Sequence, residues 1–124
     1  MEKKKIMVVD DEEAIGQIVK LILEESGEYI VKSLTMGSTA VSVASEFRPN
    51  LIFLDMMMPD MDGSDVFNAL RENKNTKDIP VVFMTAMATD EEMNNNVGIV
   101  GGHPLLAKPA TTEKLIKCIK KYAS

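Results

Sequence analysis

The chain has one cysteine, Cys118, one histidine, His103, and no apolar run approaching the length of a membrane span. A lone cysteine excludes an internal disulfide and suits a reducing cytoplasm. Cys118 lies among apolar residues at helical spacing and is read as packing filler. A span needs about 18 consecutive apolar residues, and the run after Met1-Glu2-Lys3-Lys4-Lys5 is too short even for a secretory signal. Positive charge is also scarce. Fourteen Lys and Arg stand against nineteen Asp and Glu, a formal net charge of -5, which argues against nucleic acid or an anionic membrane as the main partner. There are no internal repeats and no low-complexity linker.

What is present fits one domain. A chain of 124 residues can bury roughly two-thirds of its unfolded surface. Leu51-Ile52-Phe53-Leu54 is a continuous apolar run ending in Asp55, followed by Pro59 and the Asp62-Gly63 pair. Such a run, bounded by turn residues, predicts a strand covered on both faces, as in a parallel sheet flanked by helices. Lys5 to Asp11 repeats the pattern and also ends in acid. Ala14, Ile15, Ile18, Val19, Ile22 and Leu23 predict the inward face of a helix that stops near Gly27. Tyr29 to Leu34, with alternating polar positions, predicts an edge strand. Gly37 and Ser38 open a helix with Ala40, Val41, Ala44 and Phe47 on one face, and Pro49 ends it.

Beyond the central strand, a helix is expected from Asp62-Gly63-Ser64 to about Asn73, burying Val66, Phe67 and Leu70. A polar connection runs to Pro80. Ile79 to Thr85 predicts another buried strand, ending in a hydroxyl. Thr89-Asp90-Glu91-Glu92 is a capping box for a fourth helix, weakened by Asn94, Asn95 and Asn96 and by Gly98, Gly101 and Gly102. Leu105-Leu106-Ala107 is a brief strand leading to Lys108-Pro109, with His103 read as an exposed loop residue. Thr111 caps a last helix with Leu115, Ile116, Ile119 and Tyr122 inward and Lys114, Lys117, Lys120 and Lys121 outward. Five strands alternating with five helices predict an α/β fold, a doubly wound parallel sheet with right-handed crossovers.

The strand ends carry the chemistry. With the first and central strands adjacent, as in the order 2-1-3-4-5, Asp10, Asp11 and Asp55 crowd one pocket at the edge where open α/β sheets bind ligands. At about 4 Å and an effective dielectric near 20, each carboxylate pair repels by roughly 4 kcal/mol, a cost that a bound cation removes. Oxygen ligands with no His or second Cys nearby suit Mg²⁺ and disfavour Zn²⁺. Magnesium held by few carboxylates leaves positions for phosphate oxygens, and a carboxylate can itself be the nucleophile, forming an aspartyl phosphate. Lys108 and the Thr85 hydroxyl are suited to meet the developing negative charge.

These residues, namely Asp10-Asp11, Asp55-Met56-Met57-Met58-Pro59-Asp60-Met61-Asp62-Gly63, Thr85-Ala86 and Lys108-Pro109, resemble the receiver domain of two-component response regulators. The resemblance covers essentially the whole chain, residues 1–124 as a single receiver domain. It implies a flavodoxin-like three-layer sandwich. Asp55 matches the acceptor of a phosphoryl group from a sensor histidine kinase or a histidine phosphotransfer protein. Asp10 and Asp11 match the acidic pair that positions Mg²⁺, and Met57 the position whose backbone carbonyl is a further ligand. Thr85 matches the switch hydroxyl and Lys108 the cation that pairs with the phosphoryl group. The Lys108-Pro109 bond matches the family's cis peptide. The resemblance further implies a cytoplasmic signalling domain rather than an enzyme. Its only reactions are gain and loss of its own phosphoryl group, and its output passes to an unknown downstream protein. A population shift is expected, in which the phosphoryl group recruits Thr85 and Lys108 and biases the weak segment from Met87 to Gly102 toward an arrangement that a partner recognises.

The chain departs from the family at four places. Leu105 stands where an aromatic residue usually reports the switch, and Ala110 where phenylalanine is common. Met57 and Met87 occupy positions that flank the water attacking the phosphoryl group, and a thioether orients water poorly, so slow self-dephosphorylation is expected. Met56, Met58 and Met61 are read as core and loop packing. Two other functions remain in view. An aspartyl-phosphate phosphatase needs a second acid two residues after the nucleophile, and that position is Met57. A receiver-like interaction module that has lost its switch fits Leu105 but leaves the acidic triad without purpose.

Overall fold

A computed structural model describes residues 3–85, 99–100, 103–108 and 111–123. In chain order the elements are β1 (Lys4–Val9), α1 (Glu13–Glu25), β2 (Tyr29–Leu34), a 3-10 turn (Gly37–Thr39) running into α2 (Ala40–Phe47), β3 (Leu51–Asp55), α3 (Gly63–Glu72), β4 (Val81–Thr85), β5 (Ile99–Val100), β6 (His103–Ala107) and α4 (Thr112–Tyr122). The sheet order is β2-β1-β3-β4-β6-β5. Its first five members are all parallel, which is the expected 2-1-3-4-5 order with β6 as the fifth parallel strand.

Strand alternation explains the layers. Ile6, Val8, Leu51, Phe53, Val82 and Met84 point to one side, where Val19 and Leu23 of α1 and Leu115 and Ile119 of α4 cover them. Met7, Val9, Ile52, Leu54, Val81 and Phe83 point to the other, against Ala40 and Ala44 of α2 and Val66 and Leu70 of α3. Every residue of β3 and β4 is buried, so period-2 alternation cannot show in their sequence and a continuous apolar run appears instead. Each such side chain contributes on the order of 1.5–3 kcal/mol by leaving water. As expected of an edge strand, β2 alternates buried and exposed from Tyr29 to Lys32. The carboxylate of Glu24 accepts the Val31 N–H at 3.0 Å, covering one backbone donor of that edge.

Several expectations need correction. Among the described residues there are four α-helices, not five; the helix expected from Thr89 lies outside them, as do Met87, Pro109 with its peptide bond, and Ala110. A sixth, two-residue strand is present, with β5 antiparallel to β6: Ile99 opposes Pro104 and Val100 opposes His103. His103 is therefore a strand residue rather than a loop residue. The strand expected from Ile79 begins at Val81, because the Ile79 N–H closes a turn on the Thr76 carbonyl at 3.1 Å. On α1, Ala14 is exposed and Ile18 is 52% exposed, and the buried line is Gly16, Val19 and Leu23. Gly16 lies so close to β2 that a Cβ there would meet the Ser33 side chain. That approach sets the rotation of the helix and leaves Ile18, about 100° round from Val19, facing outward.

The last helix follows expectation. Thr111 accepts the Lys114 N–H at 3.2 Å as its cap, Leu115 and Ile119 are buried, and the four lysines are exposed.

The polar connection after α3 holds a fully buried hydroxyl. Thr76 Oγ1 donates to the Leu70 carbonyl at 2.6 Å, satisfying a helix-end acceptor. Thr76→Val keeps the shape and removes the donor. It should cost about 1–2 kcal/mol, read as a lower urea midpoint at unchanged slope.

Candidate functional site

Because β1, β3, β4 and β6 run parallel, their carboxyl ends meet at one edge. Asp10 follows β1 and is held there by its N–H, which donates to the Leu34 carbonyl at 2.9 Å. Asp55 is the last residue of β3, and the next N–H, of Met56, continues the ladder to Met84 at 3.0 Å. Thr85 ends β4 opposite Ala107, and the Lys108 N–H donates to the Thr85 carbonyl at 2.9 Å. Asp10, Asp55, Thr85 and Lys108 therefore leave adjacent strands at one edge, with Asp11 following Asp10. Asp10, Asp55 and Thr85 are buried, whereas Asp11 is exposed.

The polar geometry is compact. Lys108 Nζ lies 2.6 Å from Asp10 Oδ2 and 3.2 Å from Asp55 Oδ1. Asp10 Oδ1 accepts the Glu12 N–H at 2.9 Å, while its buried Oδ2, although in charge contact with Lys108, has no aligned hydrogen bond. The Met57 N–H approaches Asp55 Oδ1 at 3.5 Å, and its side chain is 63% exposed. One oxygen from each of Asp10, Asp11 and Asp55 lies within 4.8 Å of the others.

Burial, and then the Asp10 charge, push the Asp55 carboxyl up to about 6 against the opposing pull of Lys108. Burial works against the Lys108 charge, but its contacts with Asp10 and Asp55 outweigh burial and raise the ammonium. Three carboxylates thus face one ammonium. An all-oxygen donor set and an excess of negative charge fit a hard divalent cation such as Mg²⁺.

Two further residues shape the site, and sequence reasoning gave them no such part. A Cβ on Gly63 would sit 2.5 Å from the Asp55 carbonyl oxygen and 2.8 Å from Met56 Cα, so only glycine lets the loop after β3 close on itself. The Gly63 N–H then donates to the Met56 carbonyl at 2.8 Å. Asp60, in the middle of that loop, accepts from the Gly37 and Ser38 backbones at 3.3 and 3.1 Å. The Asp-Gly pair signals the first; nothing local signals the second, whose partners lie 23 and 22 residues away. Leu105 is buried opposite Phe83, in the core beneath α2 and α3. Of the loop methionines, Met58 is buried and Met61 packs against the same core, while Met56 is exposed.

The family described as the response regulator receiver domain matches residues 6–120. The chain belongs to the response regulator receiver family. Receiver domains are signalling domains that histidine kinases phosphorylate and that bind Mg²⁺ at an acidic pocket. The alkaline phosphatase synthesis transcriptional regulatory protein PhoP of Bacillus subtilis is 36% identical over 118 residues, covering 94% of this chain and 47% of that protein. The chain spans about half the length of the curated relatives it matches, 46–47%. Among solved structures, the chemotaxis protein CheY4 of Vibrio cholerae has a TM-score of 0.81 at 29% identity, covering 98% of this chain and 99% of that one. The receiver domain of the sensor histidine kinase PA1611 of Pseudomonas aeruginosa shares the fold, with a TM-score of 0.79 at 24% identity over 98% of each chain. That structure was solved with a magnesium ion in its active-site cleft.

The raised Asp55 carboxyl makes this receiver site a stability cost in the absence of metal. A carboxyl whose folded pKa is about 6 favours folding while protonated, and that contribution is lost as pH rises from about 4 through about 6. Asp55→Asn, neutral at every pH, should be more stable than wild type near pH 7 by on the order of 1 kcal/mol. The gain should shrink toward about pH 4.5, and saturating Mg²⁺ should narrow it by stabilising wild type more than the variant. Urea unfolding at the two pH values, with and without MgCl₂, checks this.

Proposed function

We propose that residues 1–124 form one receiver unit in which Asp55 accepts a phosphoryl group, in a Mg²⁺-dependent reaction, from the phosphohistidine of a sensor kinase or a histidine phosphotransfer protein. The observation that carries this is the placement of Lys108 Nζ between Asp10 and Asp55, beside the triad of carboxylate oxygens. An Asp55 oxygen bonds phosphorus as the P–N bond to the donor imidazole breaks, the electron pair leaving with the ring. Asp10, Asp11 and Asp55, with the Met57 backbone carbonyl carried over from the family resemblance, would hold the ion. When bound, Mg²⁺ supplies positive charge for the phosphoryl oxygens.

Lys108 then exchanges one Asp55 oxygen for a phosphoryl oxygen without leaving its contact with Asp10. The Thr85 hydroxyl, at the end of the neighbouring strand, moves toward the same group. Together they bias the population of two conformations, the phosphorylated one being recognised by a downstream protein. We place this exchange in the cytoplasm. Among the described residues no helix is long and apolar enough to cross a membrane. The net charge of -5 does not favour nucleic acid as a direct partner of this unit. The phosphatase reading is weak, since an exposed Met57 thioether cannot serve as general acid or base.

Incubation with acetyl phosphate and Mg²⁺ should add the mass of one phosphoryl group to wild type and none to Asp55→Asn. A wild-type mass that does not change would remove the basis for this function. Loss of the added phosphoryl group should be slow, because Met57 offers no strong acceptor to orient attacking water. Met57→Asn should speed it several-fold, followed as decay of the phosphorylated mass after desalting. An equal or slower decay would show that this position does not limit hydrolysis.

A further inference from the structure

We infer that Asp60, outside the acidic triad, is a positioning residue for the cation and phosphoryl site. It ties the loop between Asp55 and Gly63 to the 3-10 turn, and so holds the Met57 backbone beside Asp55. The inference rests on the metal-binding part of the function proposed above.

The loop has two attachments. Its neck is closed by the Gly63 N–H on the Met56 carbonyl at 2.8 Å. Its far side meets the 3-10 turn, which lacks a side-chain cap of its own: Met36 stands at the capping position and makes no side-chain hydrogen bond. Asp60 supplies that cap from a distance, with Oδ1 accepting from Gly37 at 3.3 Å and Oδ2 from Ser38 at 3.1 Å. A carboxylate here also complements the positive end of the following helix. The Ser38 N–H, and then that of Gly37, lower the Asp60 carboxyl from its ordinary range despite some opposing desolvation.

The remaining contacts across this junction are apolar and tight. A Cβ on Gly37 would lie 2.8 Å from Val66 Cγ2 and 3.2 Å from both Met58 Cε and Met61 Cβ. Methionine side chains adapt readily to small shifts, so they keep the loop close without fixing its register. The charge-assisted pair at Asp60 is directional and fixes it. Met57 lies between the neck and this clamp, with its N–H 3.5 Å from Asp55 Oδ1. A loop released at Asp60 pivots about the neck, and the Met57 backbone is the part that moves relative to Asp55.

Titration calorimetry of the full chain with MgCl₂ tests this. Asp60→Ala should weaken Mg²⁺ binding several-fold, since the Met57 backbone is displaced while the carboxylates stay in place. Asp60→Asn loses the charge but keeps one acceptor, and its affinity should fall between those of wild type and Asp60→Ala. In wild type the Gly37 and Ser38 amide resonances should shift on Mg²⁺ addition, and in Asp60→Ala that response should disappear. Affinity within twofold of wild type in folded Asp60→Ala would overturn the inference. Equal losses in the Asn and Ala variants would also overturn it, since they would mark a charge effect. Should Asp60→Ala not fold, Asp60→Asn decides, with a weakened affinity and a reduced amide response supporting the clamp and wild-type values for both refuting it. Acetyl phosphate labelling of wild type separately tests the acceptor role of Asp55, so a chain that binds Mg²⁺ yet takes no phosphoryl group refutes that reading and leaves the Asp60 result standing.

Discussion

The ammonium of Lys108, seated between Asp10 and Asp55, is the interaction on which the rest depends. It joins the ends of β1, β3 and β6, three strands that the chain reaches at widely separated points. Burying two carboxylates against one ammonium leaves a site that is net negative, and Asp11 at its rim adds to the imbalance. Attraction to Lys108 offsets repulsion among the acids only in part, and the raised Asp55 carboxyl is the visible remainder. The site thus carries an excess of negative charge, which on the proposed function a cation would balance.

Such an arrangement needs a rigid frame, and the two-sided core provides it. Strands β3 and β4 are buried along their whole length, so a slip of one residue would swap every side chain between two differently packed layers and displace the polar residue at the strand end. The strand ends are fixed in consequence, and the polar atoms they carry keep distances of a few ångström. The loops above them are another matter. There the backbone has no ladder, and position comes from single devices: the glycine at 63, the Asp60 carboxylate on Gly37 and Ser38, and the buried Met58 side chain.

This division decides what could be read from the residues alone. The parallel strands and the polar residues that close them, Asp10, Asp55, Thr85 and Lys108, were legible from a local signature, an apolar run with a polar residue where it stops. The strand order that brings them to one edge came instead from the known doubly wound pattern and the family resemblance. The rotation of α1 was not. Six apolar positions compete for its inward face, and the choice against Ala14 and Ile18 is made by the approach of Gly16 to Ser33, a contact between separate elements. The buried Thr76 looked like ordinary connection because its partner is a helix-end carbonyl six residues back, Leu70. The short β5 was hidden for a different reason, since two residues are too few to show a period.

The place of Leu105 follows from the same register and bears on how the site communicates. Pairing of β4 with β6 sets Phe83 opposite Leu105 and Thr85 opposite Ala107, so the two β6 positions share a strand while facing different tasks. Leu105 lies in the apolar layer under α2 and α3, with no ring or hydroxyl to exchange between two environments. In the function proposed above, a displacement of Thr85 toward Asp55 would act first on Lys108, whose N–H is bonded to the Thr85 carbonyl at 2.9 Å. Backbone and ammonium would then move together, with β6 carrying the change as a shift of the strand end. On the function proposed above, the coupling would start from that hydrogen bond and the Asp10 and Asp55 contacts of Lys108, because leucine packing offers no second polar state to select.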